Sequence, residues 1–383
     1  MRFLFVTTGS PATFYAVAPL VTAAQNAGHE VILAAHEPWM ETVEGIGVPT
    51  ICYSPEPIRH FMTPGRPTAA GRSEEMLDVG RGFARMAAAG LGALLDLAEG
   101  WRPDLVIGSS MSYAAWLLAA RRGVPYVRQE EYPIPMAGID AGAEQELRPE
   151  LDRLGLAGLP EPALHVDVTP PSLRPSPGSG WQPMRWIPRN PQRRLEPWMY
   201  TRPEGRRRVL ITSEFRRLPG RSLRQLVGQL TEAGAEVLIE GAERAAERLG
   251  AELGDVRVGW MPVDVLASTC DLAVNHGGTA GTMTLMTAGV PQLTIPPNDH
   301  AEAVAQALSD FGAALTVMPQ QHGQDLDEAI AAGCLEILAT PRYAQQAHAL
   351  AAEIAALPAP CEVVHTMETL AGGAVTRAWR KAS

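Results

Sequence analysis

Short apolar runs alternate with helix-length segments along almost the whole chain, and this alternation limits what it can fold into. The N-terminal half reads RFLFVTT, FYAVAPLVTAAQNAG, HEVILAA, PWMETVEGIG, VPTICY, DVGRGFARMAAAGLGALLDLAEGW, PDLVIGS, SYAAWLLAARRG and VPYVRQE. The strand runs are apolar at successive positions, so both of their faces must be covered. Strands of that kind, separated by helices, make a parallel sheet with helices on both sides. The first helix closes at Gly28, a residue type suited to a helix end.

The pattern breaks from about Pro160 to Gly205, where Pro170, Pro171, Pro175, Pro177, Pro183, Pro188, Pro191, Pro197 and Pro203 crowd together. Such a stretch predicts neither a packed helix nor a central strand, and it reads as an interdomain connection. RRVLITS then restarts the alternation, which continues through AEVLIEG, VRVGW, DLAVNHG, VPQLTIP and AALTVM to helices expected at Leu326–Leu338 and Tyr343–Ala356. The expected fold class is α/β, with two doubly wound, Rossmann-like parallel-sheet domains facing across a cleft that holds the site. The expected boundaries are a first domain at 1–190, a linker at 191–205, a second domain at 206–365 and a tail at 366–383.

A net charge of −10 argues against nucleic acid as a partner, and Arg206, Arg207 and Arg208 are too short a run to reverse that. Cys52, Cys270, Cys334 and Cys361 show no CxxC spacing, so neither a zinc site nor a redox pair is suggested. Scattered thiols fit a reducing cytoplasm. MRFLFV is too short for a signal peptide. No apolar run approaches the ~20 residues of a membrane helix.

The strongest local signal is CDLAVNHGGTAGTMTLMTAGVPQLTIP, residues 270–296. A buried strand ends at Asn275–His276, Gly277, Gly278 and Gly281 follow, and a helix begins near Thr279–Thr282. Glycines admit a ligand close to the backbone, and a helix N-terminus offers amide donors and positive potential. With side-chain donors from His276 and Thr282, this arrangement is a diphosphate cradle that requires no metal. The plainer reading is that Gly277 and Gly278 only form a tight turn.

HGGTAGT followed by AGVPQLTIP resembles the donor signature of inverting, GT-B-fold glycosyltransferases of actinomycete antibiotic pathways. FVTTGSPAT near the N-terminus, IRHF at 58–61, ELRPEL at 146–151, PPSLRP at 170–175 and LEPWMYTR at 195–202 look most like the urdamycin and landomycin type. The resemblance covers essentially the whole chain. It implies an acceptor-binding first domain and a nucleotide-sugar-binding second domain. It also implies transfer of an olivose-like deoxysugar from a TDP-sugar to an angucycline-like aromatic polyketide, as a C- or O-glycoside.

Carried over residue by residue, the resemblance has His276, Gly277, Gly278, Gly281 and Thr282 hold the diphosphate, with Ser213 nearby. Trp260 stacks on the pyrimidine, and backbone near Met261 reads its edge. Asp299 and His300 stand where the family has an Asp-Gln pair against the donor sugar. The His, and Ala303 in place of the family's Asn, depart from that pattern. Many relatives carry a catalytic His six residues before the proline of APL, and here that position is Thr13. The urdamycin type relies instead on a carboxylate after the VP..RQ strand, a position that falls on Tyr132.

Glu130 and Glu131 precede Tyr132 and Asp140 follows it, so Glu131 or Glu130 is the expected general base, with Asp140 and His60 as further candidates. On a continuing strand only one of the two glutamates can face the cleft. The alternative is a solvated acidic pair at a strand end. Ser10, Thr13, Phe14, Met111, Tyr113 and Tyr132 are expected to wall the acceptor. No cofactor and no metal is expected, only the sugar donor and the polyketide, with a homodimer allowed for. Two other readings stay open, a non-catalytic helper that binds nucleotide sugar and a nucleotide-sugar epimerase. A nicotinamide oxidoreductase is disfavoured, because no GxGxxG follows a strand.

Overall fold

The computed structural model describes residues 1–62, 72–131, 136–174, 180–212, 220–241, 253, 256–297 and 299–382. The chain divides into two compact units. The first comprises Met1–Thr169, Pro175–Arg185 and Leu357–Ser383, and the second Pro170–Arg174 and Trp186–Ala356. The expected alternation is present in both.

The first unit is built on a seven-stranded, all-parallel sheet in the order β3-β2-β1-β4-β5-β6-β7. Its strands are β1 (Arg2–Val6), β2 (Glu30–His36), β3 (Thr50–Ser54), β4 (Leu105–Ser109), β5 (Tyr126–Glu130), β6 (Leu164–Asp167) and β7 (Trp181–Pro183). The central strands are buried on both faces, as their unbroken apolar runs require. The order reverses between β1 and β4. In doubly wound sheets that reversal marks the ligand crevice, at the carboxyl ends of the strands.

Strands β6 and β7 overturn the expectation that 160–205 is connection alone. Pro160 and Pro162 stop short of β6, which presents Leu164 and Val166 to the interior, and Pro183 sits on the outermost strand, where a missing amide breaks no ladder.

Helix Arg72–Gly100 packs against helix Ala137–Glu146 so closely that the two backbones touch. A Cβ on Gly80 would stand 1.9 Å from the Ile139 carbonyl oxygen, and one on Gly142 would stand 2.0 Å from that of Leu77. Gly142→Ala is therefore expected to destabilise this unit by about 1–3 kcal/mol or more, read as a lower urea midpoint. An unchanged midpoint would mean that the contact relaxes freely.

Helix Pro360–Ala382 includes the residues expected as a tail. It lays Val363, Val364, Met367 and Ala371 into the first unit, and Glu368 bonds His29 at 3.0 Å. By length and composition alone, Pro341–Gly373 passes as long and apolar enough to cross a membrane, a test that the core helices of soluble proteins also pass. It is interrupted between helices Pro341–Ala355 and Pro360–Ala382.

The second unit carries a six-stranded parallel sheet in the order β10-β9-β8-β11-β12-β13. Its strands are β8 (Arg208–Ile211), β9 (Glu236–Glu240), β10 (Arg257–Gly259), β11 (Leu272–Asn275), β12 (Gln292–Thr294) and β13 (Ala314–Thr316). Here the reversal lies between β8 and β11. Arg208 is a buried keystone of this unit. Its Nε donates to Glu236 at 2.7 Å, and its Nη1 reaches the carbonyls of Trp198 and Thr201 and the hydroxyl of Thr269. It is thus part of the interior, unlike its exposed neighbours Arg206 and Arg207.

Candidate functional site

Each unit presents chemistry at its own strand reversal. In the first unit, β4 ends at Ser109 and turns through Ser110, while β5 ends at Glu130 and delivers Glu131 alongside. The Ser110 hydroxyl donates to Glu131 Oε2 at 2.5 Å, and the Ser110 amide donates to the same oxygen at 3.1 Å. Glu131 is 2% exposed, and its Oε1 has no hydrogen-bond partner among the described residues. Burial pushes its carboxyl up to about 8, against the opposing pull of the Ser110 bonds. A carboxyl that changes charge near neutrality, with one oxygen uncommitted, fits the requirements of a general base.

The other two carboxylates are held in ion pairs. Arg128 grips Asp140 with both terminal nitrogens, at 2.8 and 2.9 Å, and Asp140 also accepts the Tyr113 hydroxyl at 2.8 Å. Glu130 Oε1 meets Arg128 Nε at 3.1 Å and His165 Nδ1 at 3.3 Å, and its Oε2, like Glu131 Oε1, has no hydrogen-bond partner among the described residues, so what sets Glu131 apart is the raised carboxyl and not the open oxygen. Burial works against the Arg128 charge, but Glu130 and Asp140 outweigh it and hold the guanidinium protonated. Glu130 shares the strand face of Arg128, and Glu131 falls on the other side, as strand alternation requires. His60 ends a surface turn, half-exposed and bonded to Glu56, and none of its described bonds reaches the Glu131 group.

The loop after β1 is held by groups not anticipated from sequence. His36 Nε2 accepts the Gly9 amide at 3.1 Å, and its Nδ1 lies 2.8 Å from the Glu37 carbonyl. Burial lowers the His36 pKa, and the two bonds fix a neutral ring with its proton on Nδ1. His36 thus clamps the loop and has no lone pair left for a substrate proton. Beneath it, Thr8 bonds Tyr53 at 2.8 Å and Ser112 at 3.2 Å, and Ser112 bonds Ser109 at 2.6 Å. Of the expected acceptor wall, Ser10 is exposed, while Thr13, Phe14 and Tyr113 are buried. Met111 is partly buried against the core, and Tyr132 lies outside the described residues.

In the second unit, β11 hands over to the glycine turn as expected. Gly277 takes the left-handed conformation at φ +79°, and its amide donates to Asn275 Oδ1 at 2.7 Å. A Cβ on Gly278 would stand 2.3 Å from His276 Nε2, so the imidazole lies directly over that glycine. Helix Thr279–Thr287 follows, and its Thr282 amide bonds the Gly278 carbonyl. The amides of Thr279, Ala280 and Gly281 precede that first intrahelical bond and are the donors a helix N-terminus offers an anion. Space beside Gly281 is open.

The threonines at this helix start differ in their surroundings. Thr282 is fully buried, and Asn275, Gln292 and Thr282 form one inward network. Thr279, not singled out from sequence, carries a buried hydroxyl with no partner among the described residues, at the first position of the helix.

Trp260 follows β10 half-buried, with the Arg193 guanidinium 5.3 Å from its ring centre, and Met261 is in the core. Ser213 and the side chains of Asp299 and His300 lie outside the described residues. Among those described, no three His, Cys, Asp or Glu side chains gather as a metal site.

Residues 22–214 match the family model of the erythromycin biosynthesis protein CIII-like N-terminal domain, and 224–370 match that of its C-terminal domain. The L-demethylnoviosyl transferase of Streptomyces niveus is 32% identical, covering 95% of this chain and 96% of its own. Among solved structures, the Streptomyces sp. SF2575 glycosyltransferase SsfS6 complexed with thymidine diphosphate superposes with a TM-score of 0.84 at 30% identity, covering 96% of this chain and 99% of that one. The spinosyn rhamnosyltransferase SpnG complexed with spinosyn aglycone gives a TM-score of 0.84 at 28% identity, covering 96% and 100%.

Proposed function

This chain belongs to the erythromycin biosynthesis protein CIII-like family of antibiotic glycosyltransferases, and on that premise we propose that it moves a deoxysugar from a TDP-sugar to a phenolic polyketide with inversion and without a metal. The observation that carries the reading is the helix start at Thr279. Three amides, the His276 ring and a buried hydroxyl without a partner among the described residues lie there, a set suited to a departing diphosphate.

In the proposed reaction the acceptor attacks the anomeric carbon from the side opposite the diphosphate. The new glycosidic bond forms as the bond from carbon to phosphate oxygen breaks, and TDP leaves with the electron pair. The acceptor's proton passes to Glu131 Oε1. A base near 8 is well matched to a phenol near 10, and poorly matched to an aliphatic alcohol. A phenol is also nucleophilic at its ortho carbon once deprotonated, so one base serves O- and C-transfer alike. The olivose-like sugar and angucycline-like acceptor are the proposal's finer terms.

Incubation with TDP-olivose and an angucyclinone, with and without EDTA, tests the whole scheme. A glycoside of inverted anomeric configuration, formed equally in EDTA, is expected. No glycoside and no TDP release would sink it, TDP binding without turnover would favour a helper, and an altered sugar without acceptor would reveal an epimerase. Trp260→Ala is expected to weaken TDP binding about 10- to 100-fold in calorimetry, through loss of base stacking. Unchanged affinity would remove Trp260 from the donor site.

A further inference from the structure

Glu131 has two chemically equivalent oxygens, and the fold treats them differently. Oε2 receives the Ser110 hydroxyl at 2.5 Å and the Ser110 amide at 3.1 Å. Oε1 receives nothing from the described residues. Ser110 is itself fixed from both sides, since its Oγ accepts the Glu131 amide at 3.1 Å and its carbonyl accepts Arg128 Nε at 2.9 Å. Two residues, 21 apart in the chain, thus close a ring of hydrogen bonds around one carboxylate oxygen.

We propose that Ser110 is the positioning residue of the proton acceptor, clamping Oε2 of Glu131 so that Oε1 alone takes the proton from the sugar acceptor. This rests on the reading of Glu131 as the base. The geometry has two consequences. The clamp sets the rotation of the carboxyl group, and therefore where Oε1 points. It also stabilises the carboxylate over the acid, because both donors bond the charged form. The charged neighbours acting on Glu131 are Glu130, which raises its pKa, and Arg128, which lowers it; Asp140 stands behind Arg128 in its bidentate pair. The β4 turn contributes the uncharged Ser110.

The test is the pH dependence of kcat/KM in the wild type, Ser110→Ala, Ser110→Thr and Glu131→Gln, with TDP release as the readout. A hydrogen bond to a charged group favours the charged form, so Ser110→Ala should move the acid limb up by about one pH unit or more. Rate at pH 7 should fall about tenfold or more, with the donor KM unchanged. Ser110→Thr keeps the hydroxyl and should restore the limb. A merely structural serine would lower the rate at all pH values and leave the limb in place.

An unmoved limb in Ser110→Ala, with Glu131→Gln inactive, overturns the positioning role and leaves the base intact. Activity in Glu131→Gln with an unchanged limb overturns the base reading itself. Should Ser110→Ala not fold, Ser110→Cys keeps the volume with a weaker donor, and it must shift the limb in the same direction or the proposal fails.

Discussion

Glu131→Gln is expected to lower kcat about 10²- to 10⁴-fold, the usual contribution of a positioned general base, with little change in the donor KM. The amide retains the shape and accepts the Ser110 bonds through its oxygen, but it has no basic site for the substrate proton. In the wild type, kcat/KM should rise with pH through about 8, because only the ionised carboxylate accepts a proton. Stability should change in the opposite direction. The folded value lies above the ~4.3 of an unfolded glutamate, so the folded state holds a proton that the unfolded chain releases. That contribution is fully present below the unfolded value and is lost as pH rises through about 8, to the extent of a few kcal/mol. Thermal unfolding at pH 5 and pH 8.5 should show a smaller decline for Glu131→Gln than for the wild type. Equal declines would mean that the carboxyl is not desolvated.

Arg208→Leu should be the most damaging single change in the second unit, at about 3–5 kcal/mol. The substitution leaves Glu236 without its ion partner at 2.7 Å. It also strands the carbonyls of Trp198 and Thr201, which have turned inward to meet Nη1. Both bonds are partly buried, and an acceptor left there without a donor adds to the loss. The segment around Pro197–Tyr200 should therefore loosen from β8, and urea unfolding should begin at lower concentration. A midpoint within error of the wild type would show that the leucine packs as well as the arginine bonds.

Both sheets were legible because fully buried parallel strands write themselves as continuous apolar runs, as at Leu105–Ser109 and Leu272–Asn275. Strands β6 and β7 were not, since prolines on either side of LHVD mask a strand only four residues long. The glycine turn after His276 was legible for its residue types. Which threonine keeps an unpartnered hydroxyl among the described residues was not, because a helix start read one residue early or late rotates each side chain by about 100°. The acidic character of the segment after β5 was likewise plain. The different surroundings of Glu130, Glu131 and Asp140 depended on Arg128, His165 and Ser110, partners that only the fold brings to them.

Helix Pro360–Ala382 completes the unit in which the chain began, and a Cβ on Gly372 would lie 3.8 Å from the Met1 methyl carbon. Recombining such enzymes by a single crossover near residue 186 would separate that helix from its native bed on Pro11–Asn26 and seat a stranger's helix there. A chimera that exchanges the first unit whole needs two crossovers, so that residues 357–383 travel with it.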